Sequence, residues 1–152
     1  MHALPRQLKE GERDAAHKTA ITRRKPSAPV LWLERHGLLK GRMLDYGAGR
    51  GFDADYLGAS KFDPHWWPEK PEGKYDTVIC NYVLNVVEPG DEAGILADIR
   101  GYLAPGGHAY LAVRRDVEKE GFTKRGTYRR TVVLDLPPVF EAPGKFAIYE
   151  LA

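Results

Sequence analysis

The stretch "LDYGAGRGFDADYLGASKFDPHWWP", Leu44 to Pro68, decides how this 152-residue chain folds. The apolar run "RMLDY" (42–46) stops at glycines, which reads as a buried strand entering a tight turn. "GFDADYLG" has room for about two helical turns, and "SKFDP" reads as a second short strand closed by Pro64. Glycines at such a strand-to-helix turn let the backbone bend sharply and bring its amides close to a ligand. In open α/β sheets, ligands bind beyond the carboxyl ends of the strands, where this loop would stand.

Spacing narrows the ligand. A dinucleotide fingerprint needs glycines at relative positions one, three and six. Counting from Gly47, position three is Gly49, but position six is Phe52, and the third glycine arrives early at Gly51. A nicotinamide-dependent oxidoreductase is therefore the weaker rival. No Lys-Ser/Thr pair follows the loop, so a nucleoside-triphosphate P-loop is also disfavoured.

Working outward, "APVLWLERHGLL" (28–39) has helical spacing with Gly37 as its stop. "KYDTVICNYVLNVV" (74–87) carries a β-branched run at Thr77–Ile79, as central strands do. "PGDEAGILADIRGYLAPGG" (89–107) places Ile95, Leu96, Ile99, Tyr102 and Leu103 on one helical face, with Asp91 as its cap and Pro105-Gly106-Gly107 as its end. "HAYLAVRRD" (108–116) reads as a strand and 117–126 as a loop. "TYRRTVVLDL" (127–136) and "KFAIYEL" (145–151) alternate like strands joined by "PPVFEAPG". The order implies an α/β fold, mostly parallel, with an antiparallel edge.

The length suits a single domain, and no apolar run approaches the ~20 residues of a membrane span. The charged N-terminus argues against an export signal. Cys80, the one cysteine, lies in an apolar run without a disulfide partner, and a cytoplasmic protein is expected. Net charge is +2, yet residues 1–25 carry seven Lys/Arg against three acids. We divide the chain into a basic arm, 1–27, and one domain, 28–152. Such an arm either touches phosphates or nucleic acid or is simply solvated.

An acid two residues before G-x-G-x-G, here Asp45, resembles the first motif of class I S-adenosylmethionine-dependent methyltransferases. Asp63 matches that family's ribose-binding acid, "YDTVICNYVLNVV" its fourth-strand motif, and "YLAPGGHAYLAV" its later helix, turn and fifth strand. The likeness runs in order over residues 42–116. More narrowly, "TAITRRKPSAPV", "LDYGAGRGFD", "DPHWWP" and "NYVLNVVE" resemble a small group of methyltransferase-like proteins, some found beside DNA phosphorothioation genes. The resemblance implies a Rossmann-like fold and S-adenosyl-L-methionine held by Asp45, Tyr46, Gly47, Ala48, Gly49, Gly51 and Asp63.

A full class I domain has a helix, a third strand and a second helix between the ribose acid and the fourth strand. Here Asp63 and Tyr75 are only twelve positions apart (75 minus 63). At ~1.5 Å per helical and ~3.3 Å per strand residue, three elements do not fit. A minimal sheet of order about 2-1-4-5-7-6 in the family's numbering is therefore expected. The lost segment commonly recognises adenine. Pro64, His65, Trp66 and Trp67 follow the ribose acid directly, and a tryptophan stacked on the base is a candidate substitute; hydrophobic capping of the sheet edge is the alternative.

Methyl transfer requires mainly alignment and exclusion of water, because the cofactor brings the activated methyl group. Asn81, Tyr82 and Asn85 are the candidates around that methyl, although Asn85 also suits a turn. His65 is a candidate base or a stacking residue. No metal site is expected. Arg114, Arg115 and Asp116 at the fifth strand's end, with Lys124, Arg125 and Arg129, form a candidate rim for an anionic acceptor. Lys18, Thr19 and Arg23 are placed over the cofactor, Arg23 facing its carboxylate. The acceptor stays open, with a nucleotide or nucleic acid favoured over a neutral metabolite. A non-catalytic S-adenosylmethionine-binding module, acting as sensor or partner subunit, is the alternative function.

Overall fold

Pro29 in the first turn and a left-handed Gly37 (φ 67°) just past the end bound the first helix, α1 (Ala28–Arg35), in the computed structural model, which describes residues 20–151. Four strands follow: β1 (Met43–Tyr46), β2 (Ser60–Phe62), β3 (Tyr75–Asn81) and β4 (Leu103–Arg114). Between them lie α2 (Phe52–Leu57) and α3 (Glu92–Tyr102). The chain ends with a small ribbon of β5 (Gly121–Phe122) and β6 (Tyr128–Arg129), then β7 (Pro138–Ala142) and β8 (Phe146–Glu150).

Among the described residues, six strands form one sheet of order β2-β1-β3-β4-β8-β7. β2, β1, β3 and β4 are parallel, while β8 runs antiparallel to both β4 and β7. This is the expected minimal order, and no strand or helix stands between Trp67 and Tyr75. The short return is secured by Arg42. Its guanidinium donates to the carbonyls of Glu72 (2.8 Å) and Lys74 (3.2 Å) and lies over the Tyr75 ring.

Both sheet faces are covered, which explains the nearly continuous apolar sequence of β3. Under α3, Ile95 and Ile99 pack with Leu44, Val78, Leu111 and Val113. Under α1, Val30 and Leu33 pack with Ile79, Tyr110 and Ile148.

The predicted strand at 127–136 is corrected by the structure. Only Tyr128–Arg129 pairs, with Gly121–Phe122 of the predicted loop, and the sheet's edge strand is Pro138–Ala142 from the predicted connection. Val132 and Leu134 are indeed buried alternately. Alternation reports which side chains face the core, not which backbone they bond. An edge strand also tolerates a proline at its first residue.

The Tyr46 side chain points away from the glycine loop. Its ring lies in the core beside Phe62 and its hydroxyl donates to Asp98 Oδ2 (2.6 Å). Burial and the Asp98 bond push its pKa above the ordinary phenol value. Tyr46→Phe should cost about 1–3 kcal/mol of stability, measured by urea denaturation, with no shift in any ligand affinity.

Candidate functional site

The site is built where β1 ends. Gly47 (φ 84°) opens the turn, and a Cβ there would collide with Val83, so glycine is required for both conformation and space. The Gly47 and Ala48 N–H groups donate to the Phe62 carbonyl (2.7 and 2.9 Å), tying the loop to the end of β2. Ala20 lies against Gly49, so the segment entering α1 crosses the loop.

Asp63 organises the next turn. Its Oδ2 accepts the Gly49 N–H (2.9 Å), and its Oδ1 accepts those of His65 (2.9 Å) and Trp66 (3.1 Å). A carboxylate offers about four acceptor positions, so roughly one remains for a further donor. Asp63 and Trp67 also exchange two backbone bonds of 3.0 Å, which closes "DPHWW" into a hairpin. Pro64 and His65 are exposed in that turn, with the His65 ring edge-on to Trp66. Arg50 lies 4.7 Å over Trp66, and the Trp67 Nε1–H donates to the Gly49 carbonyl (3.0 Å).

Strand alternation turns Asp45 to the sheet face opposite Leu44 and Tyr46. It is buried, and its carboxyl is raised to about 8, first by desolvation and then by the charges of Asp53 and Asp63. Arg23 opposes that rise. Asp53, in the first turn of α2, was not singled out from sequence. Its carboxylate accepts the Ser27 N–H (2.8 Å) and hydroxyl (2.7 Å), so it anchors the start of α1 beside the glycine loop. An acid in the turn after a glycine loop was the available signal.

Two residues beyond the Asp45↔Ile79 pair stands Asn81. Both amide atoms of its side chain are buried and make no hydrogen bond among the described residues. Tyr82 follows with φ 64°, alone among the described non-glycine residues in taking a positive φ. Strained backbone of this kind concentrates at functional sites. The Tyr82 pKa is raised by burial, against the lowering influence of Arg114 and Arg23. The Arg114 guanidinium lies 5.0 Å from the Tyr82 ring and makes a two-pronged pair with Asp116 (2.9 and 2.8 Å).

Two expected site residues are otherwise engaged. Asn85 accepts the Arg114 N–H (2.7 Å) and donates to the Arg130 carbonyl (2.9 Å), a buried structural tie that leaves its amide committed. Arg115 donates to the Val132 carbonyl and to the Tyr149 hydroxyl (2.7 Å), so its guanidinium braces the sheet. His65 is separated from Asn81 and Tyr82 by β1, which stands between β2 and β3. Lys124, Arg125 and Arg129 are exposed on the β5–β6 ribbon, and Lys18 and Thr19 lie outside the described residues. Among the described residues, no group of three or more His, Cys, Asp or Glu side chains could hold a metal ion. No helix among them is long and apolar enough to cross a membrane.

This arrangement of loop and strand ends coincides with a family match. Residues 19–132 match the model described as methyltransferase domain. The chain belongs to that family. No curated protein matches it. Among solved structures, this methyltransferase-family chain is similar to DhpI in its SAH complex, with 17% identity, 81% of this chain and 82% of the other covered, and a TM-score of 0.55. The DhpI–SAM–HEP complex covers 81% and 84% of the two chains at 16% identity and a TM-score of 0.54. The Burkholderia thailandensis 1,6-didemethyltoxoflavin-N1-methyltransferase, solved with 1,6-didemethyltoxoflavin and S-adenosylhomocysteine, covers 93% and 77% at 18% identity and a TM-score of 0.54. These likenesses establish the shared fold.

The raised Asp45 pKa has a definite sign. Its stabilising effect is fully present below the unfolded value of 3.8 and is lost as pH rises through about 8. In the methyltransferase-family chain without ligand, Asp45→Asn should therefore gain stability relative to wild type between pH 4 and 8. The difference should level off above pH 8, as read from thermal midpoints across pH.

Proposed function

We propose that the chain transfers a methyl group from S-adenosyl-L-methionine to an anionic acceptor. Asn81 carries the reading: an amide with both ends buried and unpartnered costs about 1–3 kcal/mol unless a ligand satisfies it. It stands beside a glycine loop and a buried carboxyl, in a methyltransferase-family domain. Relatives of the same fold have been solved with SAM or SAH, which supports the choice of cofactor.

The residues present suit that group. Asp45 would hold the ligand's ammonium, whose positive charge would draw the carboxyl's proton off. Asp63 would use its remaining acceptor position for a ribose hydroxyl. The Asn81 amide offers both a donor and an acceptor, and Trp66 presents an aromatic face for adenine. When bound, S-adenosylmethionine supplies a methyl group already activated by its sulfonium. The chain's part is to orient the two reactants and exclude water. Tyr82 and Arg114 would form the wall facing the acceptor, and the charge of Arg23 also bears on Tyr82. Arg114, over the half-buried Tyr82 ring and held by Asp116, together with the charge of Arg23, favours an anionic acceptor, such as a nucleotide, over a neutral one.

Calorimetric titration with S-adenosylhomocysteine tests the cofactor, and absence of binding would end this reading. With binding established, radiolabelled methyl transfer to pools of nucleotides, nucleic acids and small acids tests the reaction. Arg114→Ala should lower turnover of the anionic acceptor more than tenfold while leaving S-adenosylhomocysteine affinity within about twofold. Asn81→Leu should divide two quantities that usually move together. Stability without ligand should hold or rise by about 1 kcal/mol, while affinity for S-adenosylhomocysteine should fall at least about tenfold.

A further inference from the structure

We infer that Trp67 is a positioning residue for the cofactor loop, its indole N–H holding Gly49 in the binding shape that the missing third strand does not support. The inference rests on the cofactor reading above. Gly49 is gripped through the peptide units on both its sides: its N–H donates to Asp63 Oδ2 (2.9 Å), and its carbonyl receives the Trp67 Nε1–H (3.0 Å). Asp63 and Trp67 are locked together by their reciprocal backbone bonds. Hairpin and loop therefore form one closed mechanical circuit.

The ring is held as well as its nitrogen. The Lys61 ammonium lies 4.2 Å from the centroid of the Trp67 ring, and a Cβ at Gly51 would come within 3.4 Å of the ring carbon Cζ2. Lys61 is itself paired with Asp55 in α2, so the ring is tied to the helix that follows the loop. An indole N–H is only a donor, and here it is already used. Trp66 differs in kind, its ring meeting Arg50 instead. The two neighbouring tryptophans thus differ: Trp67 shapes the loop through its nitrogen, and the Trp66 ring carries Arg50.

The mechanical reason is entropic. A loop with glycines at 47, 49 and 51 has unusual freedom in the unbound state. Ordering it in advance spares that loss when a ligand binds.

The test measures Gly49 amide hydrogen exchange by NMR in the cofactor-free protein, alongside S-adenosylhomocysteine affinity. Trp67→Phe removes the donor. Single-site replacement by 3-benzothienylalanine, with sulfur in place of N–H, keeps the ring shape should the phenylalanine variant fold poorly. We expect Gly49 exchange to accelerate by about tenfold or more, β3 amide exchange to stay unchanged, and affinity to fall about tenfold. Unchanged Gly49 exchange overturns the inference, even with weaker binding, because Trp67 would then act on the ligand directly. Faster exchange with unchanged affinity overturns it too, since the clamp would have no bearing on the site. Should the wild-type protein not bind S-adenosylhomocysteine, the functional reading falls, and the exchange measurement alone still decides whether Trp67 holds the loop.

Discussion

Only twelve positions separate Asp63 from Tyr75, and in that span the chain must leave β2, cross beneath β1 and start β3 in parallel. A parallel connection normally uses a helix to make such a return. Here the span is instead an extended strap pinned by Arg42 at its far end and folded into the Asp63–Trp67 hairpin at its near end. That economy decides the local architecture. The hairpin is the part of the strap nearest the glycine loop, so the loop's support comes from side chains of the turn rather than from another layer of the fold. Asp63 thus ties the architecture together, because three backbone N–H groups, one of the loop and two of the turn, share one carboxylate.

The same region carries features that work against folding. A buried carboxyl with a strongly raised pKa, an amide with no partner and a tyrosine with left-handed backbone all stand at adjoining strand ends. Each is destabilising by itself, and the apolar packing on both sheet faces offsets them. Such a concentration of unfavourable terms is what the proposed site needs, since groups ready for a ligand are groups left unsatisfied without one.

Much of this was readable from residue order. β1 is an apolar run stopped by glycines, β3 a β-branched apolar run, and α3 a helical face preceded by Pro89-Gly90, each marked in its own residues. The missing strand followed from arithmetic on chain length. What residue order left unreadable shares a cause: it concerns partners distant in sequence. Nothing near Asn85 announces that its amide will join Arg114 to Arg130, and nothing near Tyr46 announces Asp98, fifty-two residues away. Val132 and Leu134 show the same limit, since their alternation marks burial truly while their backbone pairs with no strand. Trp67 was visible as an aromatic beside the loop, but whether its face or its nitrogen would be used depends on the hairpin's geometry.

β2 has consequences beyond this chain. It is the sheet's terminal strand, pairing with β1 alone, and the residues after it, from Trp67 to Lys74, are almost all exposed. Among the described residues no strand pairs with its outer edge, and the strap beside it meets the core through the Glu72 carbonyl, which accepts the Tyr75 hydroxyl. The fold can therefore grow or shrink at this margin as a modular joint. A strand and its helices spliced in between Pro68 and Pro71 would leave both the Asp63–Trp67 hairpin and the bonds of Arg42 and Tyr75 as they stand.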